Sequence, residues 1–287
     1  MTDRRDATSR TSNAPVSPTV HPDYVRDRLD ASAHADEHFS ALLEQHASRL
    51  VGTGRCLATF RQSVEAFEKY QDTRTLARLE EAHNELCLLE ELLAQTNPLF
   101  STIEYEPVLP GCDKRIDFRA TNDCVVWFIE VKTIHPELID RWDQYERVVR
   151  SGRITENVTI HFERDRMGGQ LWHQRFSARA RMLEYSRELE DRITACGIDS
   201  PRHRFMLALF SDGFVCQKDE LEDFVAFYRT GLHRPDDGLA KMEAHDVGSK
   251  NVTLTRRITR FAHFSRSPFA ASPAEKDWNV RPPAMLV

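Results

Sequence analysis

The sequence predicts an α/β domain, a mixed central sheet flanked by helices, with an N-terminal helical extension. Three observations point there. Apolar residues recur at spacings of three and four from about Asp36 to Gln95. The pattern then switches to alternation and short apolar runs between Ser101 and Thr133. Beyond that, helical and strand-like stretches take turns, which implies parallel crossovers beside the antiparallel hairpins.

Residues 1–35 are rich in Ser, Thr, Pro and Asp and poor in large apolar groups, so a disordered arm is expected. A helical region follows over 36–74. "EHFSALLEQHASRLV" sets Phe39, Leu42, Leu43, His46 and Leu50 on one face. "RCLATFRQSVEAFEKY" repeats the stripe with Leu57, Phe60, Val64 and Phe67, and Gly52 and Gly54 punctuate the pair. An α/β core is expected over 75–235. It opens with a helix from Thr75 to Gln95, striped by Leu76, Leu79, Leu86, Leu89 and Leu93 and stopped by Asn97-Pro98. "STIEYEPVL" alternates as a half-buried strand does, and "PGCDK" reads as a turn. "RIDFRA" and "CVVWFIEVKT" read as a hairpin through "TND". The second of these is apolar from Val125 to Ile129, as a strand buried on both faces is. "ELIDRWDQYERVVR" reads as a helix, "NVTIHF" as a short strand, and "LWHQRFSARARMLEYSRELEDRITACG" as a long helix. "RFMLALF" is a further buried strand and "DELEDFVAFYRTG" a helix. In the basic tail, 236–287, "NVTLTRRITRFAHF" is a strand candidate and the last twenty residues are expected to be loose.

Composition narrows the function classes. The 287 residues are 40% hydrophobic and 29% charged, with a net charge of −6. That balance argues against a protein that coats nucleic acid or anionic membrane wholesale, but allows a local basic groove. No apolar run is long enough for a transmembrane helix, and no apolar segment near the N-terminus reads as a secretory signal. Cys56, Cys87, Cys112, Cys124, Cys196 and Cys216 are dispersed with no C-x-x-C pair. Unpaired thiols in a reduced cytoplasm are therefore expected, without a disulfide scaffold or zinc site.

One constellation carries chemistry. Side chains alternate across a strand, so Glu130 and Lys132 share a face while Val131 points to the other. Asp117 lies on the preceding strand, within reach across an antiparallel pair. Two carboxylates suit Mg²⁺, a hard cation that takes oxygen ligands and keeps several waters. A nearby ammonium can neutralise a phosphate or help to deprotonate a water. The ordinary alternative is an ion pair at a strand end.

The run of helix with "NEL", strand, "EPVLPG", basic turn, "IDF", hairpin and "FIEVKT" resembles the PD-(D/E)xK nuclease superfamily, the restriction-endonuclease-like fold. The resemblance covers residues 75–135 closely and 155–230 in outline. Ile116 stands where the motif has proline, while the acid Asp117 and the E-x-K half, Glu130-Val131-Lys132, are intact. The resemblance implies a Mg²⁺-dependent endonuclease, with Mn²⁺ as a substitute, acting on DNA or RNA, with DNA favoured. It implies that Asp117, Glu130 and the Val131 carbonyl hold the metal and that Lys132 positions or activates water. Glu85 matches a helix carboxylate that joins the metal shell, with Glu90 and Glu91 as close competitors. A homodimer would suit a double-strand break, since one site cuts one strand. The alternative is an inactive nucleic-acid- or protein-binding module on the same fold.

Arginines supply candidate phosphate contacts. Arg175 and Arg179 lie one turn apart on the long helix, and Arg256 and Arg257 belong to an acid-free basic stretch from Lys250 to Arg266 with Phe261 and Phe264 interleaved. Helical i,i+4 pairing on a solvated face is the simpler reading for the first pair. No P-loop, G-x-S-x-G or H-E-x-x-H motif occurs.

Overall fold

The computed structural model describes residues 20, 22–95, 100–135, 178–212, 218–230, 255–266 and 285–286. The first helix, α1 (Pro22–Gln45), starts well before Asp36, so residues 22–35 are not part of a disordered arm. Pro22 suits the first helical position, where no backbone N–H is needed. Tyr24, Val25, Ser32, Ala35 and Phe39 form its buried face, and Arg28 reaches Glu80 at 3.8 Å. Before Asp36 only Tyr24 and Val25 of that face are large, which is why composition hid the helix.

A short 3-10 turn (Ala47–Arg49) leads into β1 (Leu50–Val51), a strand that periodicity cannot reveal in two residues. Helix α2 (Gly54–Tyr70) ends where Gln71 adopts a left-handed conformation and its N–H donates to the Phe67 carbonyl at 2.9 Å. Helix α3 (Thr73–Ala94) is capped by Asp72, whose carboxylate accepts from the Thr75 N–H at 2.8 Å.

Strands β2 (Thr102–Tyr105), β3 (Phe118–Thr121) and β4 (Val126–Ile134) follow. The β3–β4 turn is tied by Asn122, whose side-chain oxygen accepts from the N–H groups of Cys124 and Val125. After α4 (Ala178–Ala195) come β5 (His203–Asp212), α5 (Lys218–Thr230), β6 (Arg260–Arg266) and β7 (Met285–Leu286). The "ELIDRWDQYERVVR" helix, the "NVTIHF" strand and most of the final twenty residues lie outside the described residues.

All seven strands form one mixed sheet in sequence order. β2–β3, β3–β4 and β6–β7 pair antiparallel; β1–β2, β4–β5 and β5–β6 pair parallel. The sheet thus draws on the N-terminal region, the core and the tail. Its two faces are sorted by the period of two. Ile129, Val131, Met206, Ala208 and Phe210 pack with α1, α2 and α3. Phe128, Ile134, Leu207, Leu209 and Phe261 pack with α4 and α5. Central β4 is therefore covered on both sides, as its apolar run requires.

Candidate active site

β3 pairs with β4 from Phe118↔Ile129 to Thr121↔Val126. Continued by one residue, that register sets Asp117 directly opposite Glu130. β4 runs on past the end of β3, so its edge there lacks a strand partner. Asp117 fills part of the gap: its Oδ2 accepts from the Val131 N–H at 2.6 Å. A residue's N–H and C=O point to the same edge of a strand, which puts the Val131 carbonyl on the Asp117 side. On the other side of Asp117, Glu106 donates its N–H to the Asp117 carbonyl at 2.8 Å. Glu106 has φ +48, a left-handed conformation that costs a non-glycine residue about 1–2 kcal/mol. That bend ends β2 beside Asp117.

Glu130 is 3% exposed. By alternation it and Lys132 face α4. Lys132 Nζ lies 2.9 Å from Glu130 Oε1 and 5.7 Å from the centre of the Tyr185 ring on α4. Arg192, in the last turn of α4, pairs with the same Oε1, and its Nη1 donates to the Arg115 carbonyl at 3.2 Å. The other carboxylate oxygen, Oε2, is buried and has no hydrogen-bond partner among the described residues.

Glu85 comes from α3, on the opposite face of the sheet. It accepts from the Tyr105 hydroxyl at 2.7 Å, with the Cys56 thiol 4.0 Å away. Burial, then the negative charges of Glu106, Glu81 and Glu130, push its carboxyl up to about 7 against the pull of the Tyr105 hydrogen bond. Burial, followed by Glu130 and Glu85, raises Asp117 well above the usual carboxylate range despite the Val131 N–H and Lys132. Burial works against the Lys132 ammonium, but Glu130 and Asp117 outweigh it and hold its pKa above the ordinary lysine value.

No protein-family model, curated protein or solved structure matches the chain. The site therefore rests on its own geometry. Asp117, Glu130, Val131 and Lys132 come together on one strand edge. Glu85 is close enough to feel both acids but reaches them from the other layer; Glu90 instead accepts from His38 at 3.1 Å. Among the described residues, no three His, Cys, Asp or Glu side chains are grouped to hold a metal ion. Two carboxylates and a carbonyl remain a chemically suitable set for a cation that retains water, and the orphaned Glu130 Oε2 is a free oxygen donor.

The arginines divide. Arg175 lies outside the described residues, and Arg179 stands in the first turn of α4. Arg256 is exposed at φ +58. Arg257 is committed elsewhere: its guanidinium donates to the Ile198 carbonyl and lies 3.6 Å from Asp199. Both precede β6, whose Arg260 pairs with Met206 one step before the Leu207 that sits beside Glu130, so they flank the far end of the strands from Lys132.

Two features had escaped the sequence. Arg192 carried no local signal; only the crossing of α4 over β4 brings it to Glu130. Cys112 and Cys196, expected as unpaired thiols, form a disulfide across 84 residues, a correction that spacing could not supply. Among the described residues, Cys56, Cys87 and Cys124 form no disulfide. No helix among the described residues is long and apolar enough to cross a membrane.

Proposed function

We propose that the chain is a Mg²⁺-dependent endonuclease of restriction-endonuclease-like fold, acting on DNA in preference to RNA. The observation that carries the reading is the register that sets Asp117 opposite Glu130, with Lys132 2.9 Å from Glu130. The order helix, three strands, helix, strand supports it, because it follows the outline of the resemblance. Asp117, Glu130 and the Val131 carbonyl would hold the metal, with Glu85 as a further acid nearby. The metal, when bound, supplies positive charge to the scissile phosphate and acidifies a water. Lys132 sits beside the carboxylates, where its ammonium orients the attacking water or stabilises charge on the phosphate. Water adds to phosphorus and one P–O ester bond breaks, leaving a phosphate monoester and an alcohol.

The test is cleavage of plasmid and single-stranded DNA with Mg²⁺ or Mn²⁺. Asp117→Ala and Lys132→Ala should each lower the rate by about 100-fold or more. Cleavage that survives both substitutions would assign the activity to another site or another protein. One observation favours the second reading, an inactive binding module: Glu130 already carries two cationic partners, Lys132 and Arg192. Under that reading no substrate is cut, and the pairing serves the fold.

A further inference from the structure

The loop that delivers Asp117 and the end of α4 that delivers Arg192 are joined to each other. Cys112 in the loop is bonded to Cys196, one turn beyond Arg192. Arg192 itself donates to the Arg115 carbonyl at 3.2 Å. Leu109 and Ile116 share an apolar cluster with Ile193, Cys196 and Ile198. Gly111 marks the closest approach: a Cβ there would lie 2.5 Å from the Cys196 carbonyl oxygen, and its φ is +82. A covalent bond, a hydrogen bond and an apolar seam thus hold one helix end against one loop, and the product of that clamp is a guanidinium on Glu130.

Its placement matters because Glu130 is the central acid of the site. Oε1 accepts from both Lys132 and Arg192, so the carboxylate charge is more than balanced. A divalent cation approaching from the Asp117 edge finds Oε2 without a partner, but meets two positive charges already held on Oε1. Lys132 sits on β4 beside Glu130, on the same strand. Arg192 arrives from another element, and its position depends on where the last turn of α4 is pinned.

We propose that the Cys112–Cys196 disulfide holds Arg192 on Glu130 as an internal counter-ion that keeps a divalent cation out of the Asp117–Glu130 site, and that reduction of the disulfide opens the site. This rests on the metal-binding reading of those two acids. The redox step balances with a dithiol reductant. One of its thiolates attacks a sulfur of the pair, the S–S bond breaks and the other cysteine leaves as thiolate. The second thiol of the reductant then resolves the mixed disulfide. Two electrons and two protons pass to the protein as two Cys–SH groups, and the reductant closes to its own disulfide. With the covalent part of the clamp gone, only the hydrogen bond and the apolar seam hold the α4 end to the 110–116 loop, and Arg192 can leave Glu130.

The experiment measures Mn²⁺ binding by full-length protein, by calorimetry and by the resonance signal of free Mn²⁺. It compares oxidised and dithiol-reduced wild type with Arg192→Met and with Cys112→Ser/Cys196→Ser. Alkylation of unfolded protein before and after reduction reports the disulfide, and circular dichroism reports the fold. Reduction should tighten Mn²⁺ binding by about ten-fold or more, while Arg192→Met should bind tightly in both redox states. Glu130→Gln should abolish binding in either state. If the double serine variant does not fold, reduced wild type with an unchanged dichroism spectrum carries the comparison. Equal Mn²⁺ affinity in oxidised, reduced and Arg192→Met protein overturns the proposal and leaves the metal site standing. An alkylation pattern that reduction does not change overturns it too, since no bond is there to break. Absence of Mn²⁺ binding in every form, Arg192→Met included, removes the metal reading itself.

Discussion

His135 follows the last residue of β4, with its ring between two carboxylates: Nδ1 lies 3.5 Å from Glu80 and Nε2 3.3 Å from Glu81. Burial works against the imidazolium, but hydrogen bonds to Glu80 and Glu81 outweigh it and set its pKa at about 9. The free imidazole titrates near 6.5. The folded value is the higher one, so its stabilisation is complete below about pH 6.5 and is lost as pH rises through 9. A displacement of that size corresponds to about 3 kcal/mol at most, reduced by the solvent around half-exposed Glu81. His135→Asn should therefore destabilise the protein at pH 6, and the gap to wild type in urea unfolding should narrow by pH 9.5. A gap that stays constant across that range would show the ring to be neutral in the fold. His135 was legible in the sequence only as the end of a strand, because both partners of its ring lie on α3. The residues that sequence did expose share one property: Asp117, Glu130 and Lys132 are related by alternation and by a short hairpin. Arg192 depends instead on a helix that follows a long connection, and no local pattern encodes which strand that helix crosses.

Elements were legible where their own periodicity is strong. α2, α3 and β4 occur where the sequence puts them, since stripes of Leu and Phe or an apolar run specify each one. α1 begins earlier than its stripe because Ser32 and Ala35 bury a face without adding hydrophobicity. In the tail, the strand expected within "NVTLTRRITRFAHF" starts only at Arg260, and what precedes it is held by a distant carboxylate. Glu190 on α4, 2% exposed, accepts from the Tyr228 hydroxyl and from the backbone N–H groups of Thr255 and Arg257. The Tyr228 hydroxyl also accepts from the Ile258 N–H at 3.0 Å. One acid thus joins α4, α5 and the run into β6. Removing it strands the buried Tyr228 hydroxyl and two backbone N–H groups, so Glu190→Ala should cost about 3 kcal/mol in urea unfolding. Proteolysis should then quicken first around residues 255–259. Uniform sensitivity along the chain would place the loss elsewhere.

At the scale of the molecule, the alternation of β4 and β5 divides the interior into two apolar layers, and the disulfide braces the α4 side of that division. Closing a loop of 84 residues removes chain entropy from the unfolded state, with a stabilisation of about 4.6 kcal/mol in the ideal case. Reduction should lower the urea midpoint of wild type, and it should leave Cys112→Ser/Cys196→Ser unaffected. An unmoved wild-type midpoint would mean that the sulfurs are not bonded in solution. The α/β class and mixed sheet were legible from the change of period near Ser101, whereas this brace was not, since two cysteines so far apart in sequence carry no spacing signal. The separation between Glu130 and Arg192 has a consequence in time. The hairpin that sets Asp117 against Glu130 spans few residues and closes within about 10 μs once free to form. Arg192 is 62 residues further on (192 − 130) and leaves the ribosome about 3 to 12 s later. Throughout that interval the nascent chain has the acids and Lys132 but not the guanidinium. The acidic pair is therefore more negative during synthesis than in the finished protein, and an ambient divalent cation meets it before its internal competitor exists.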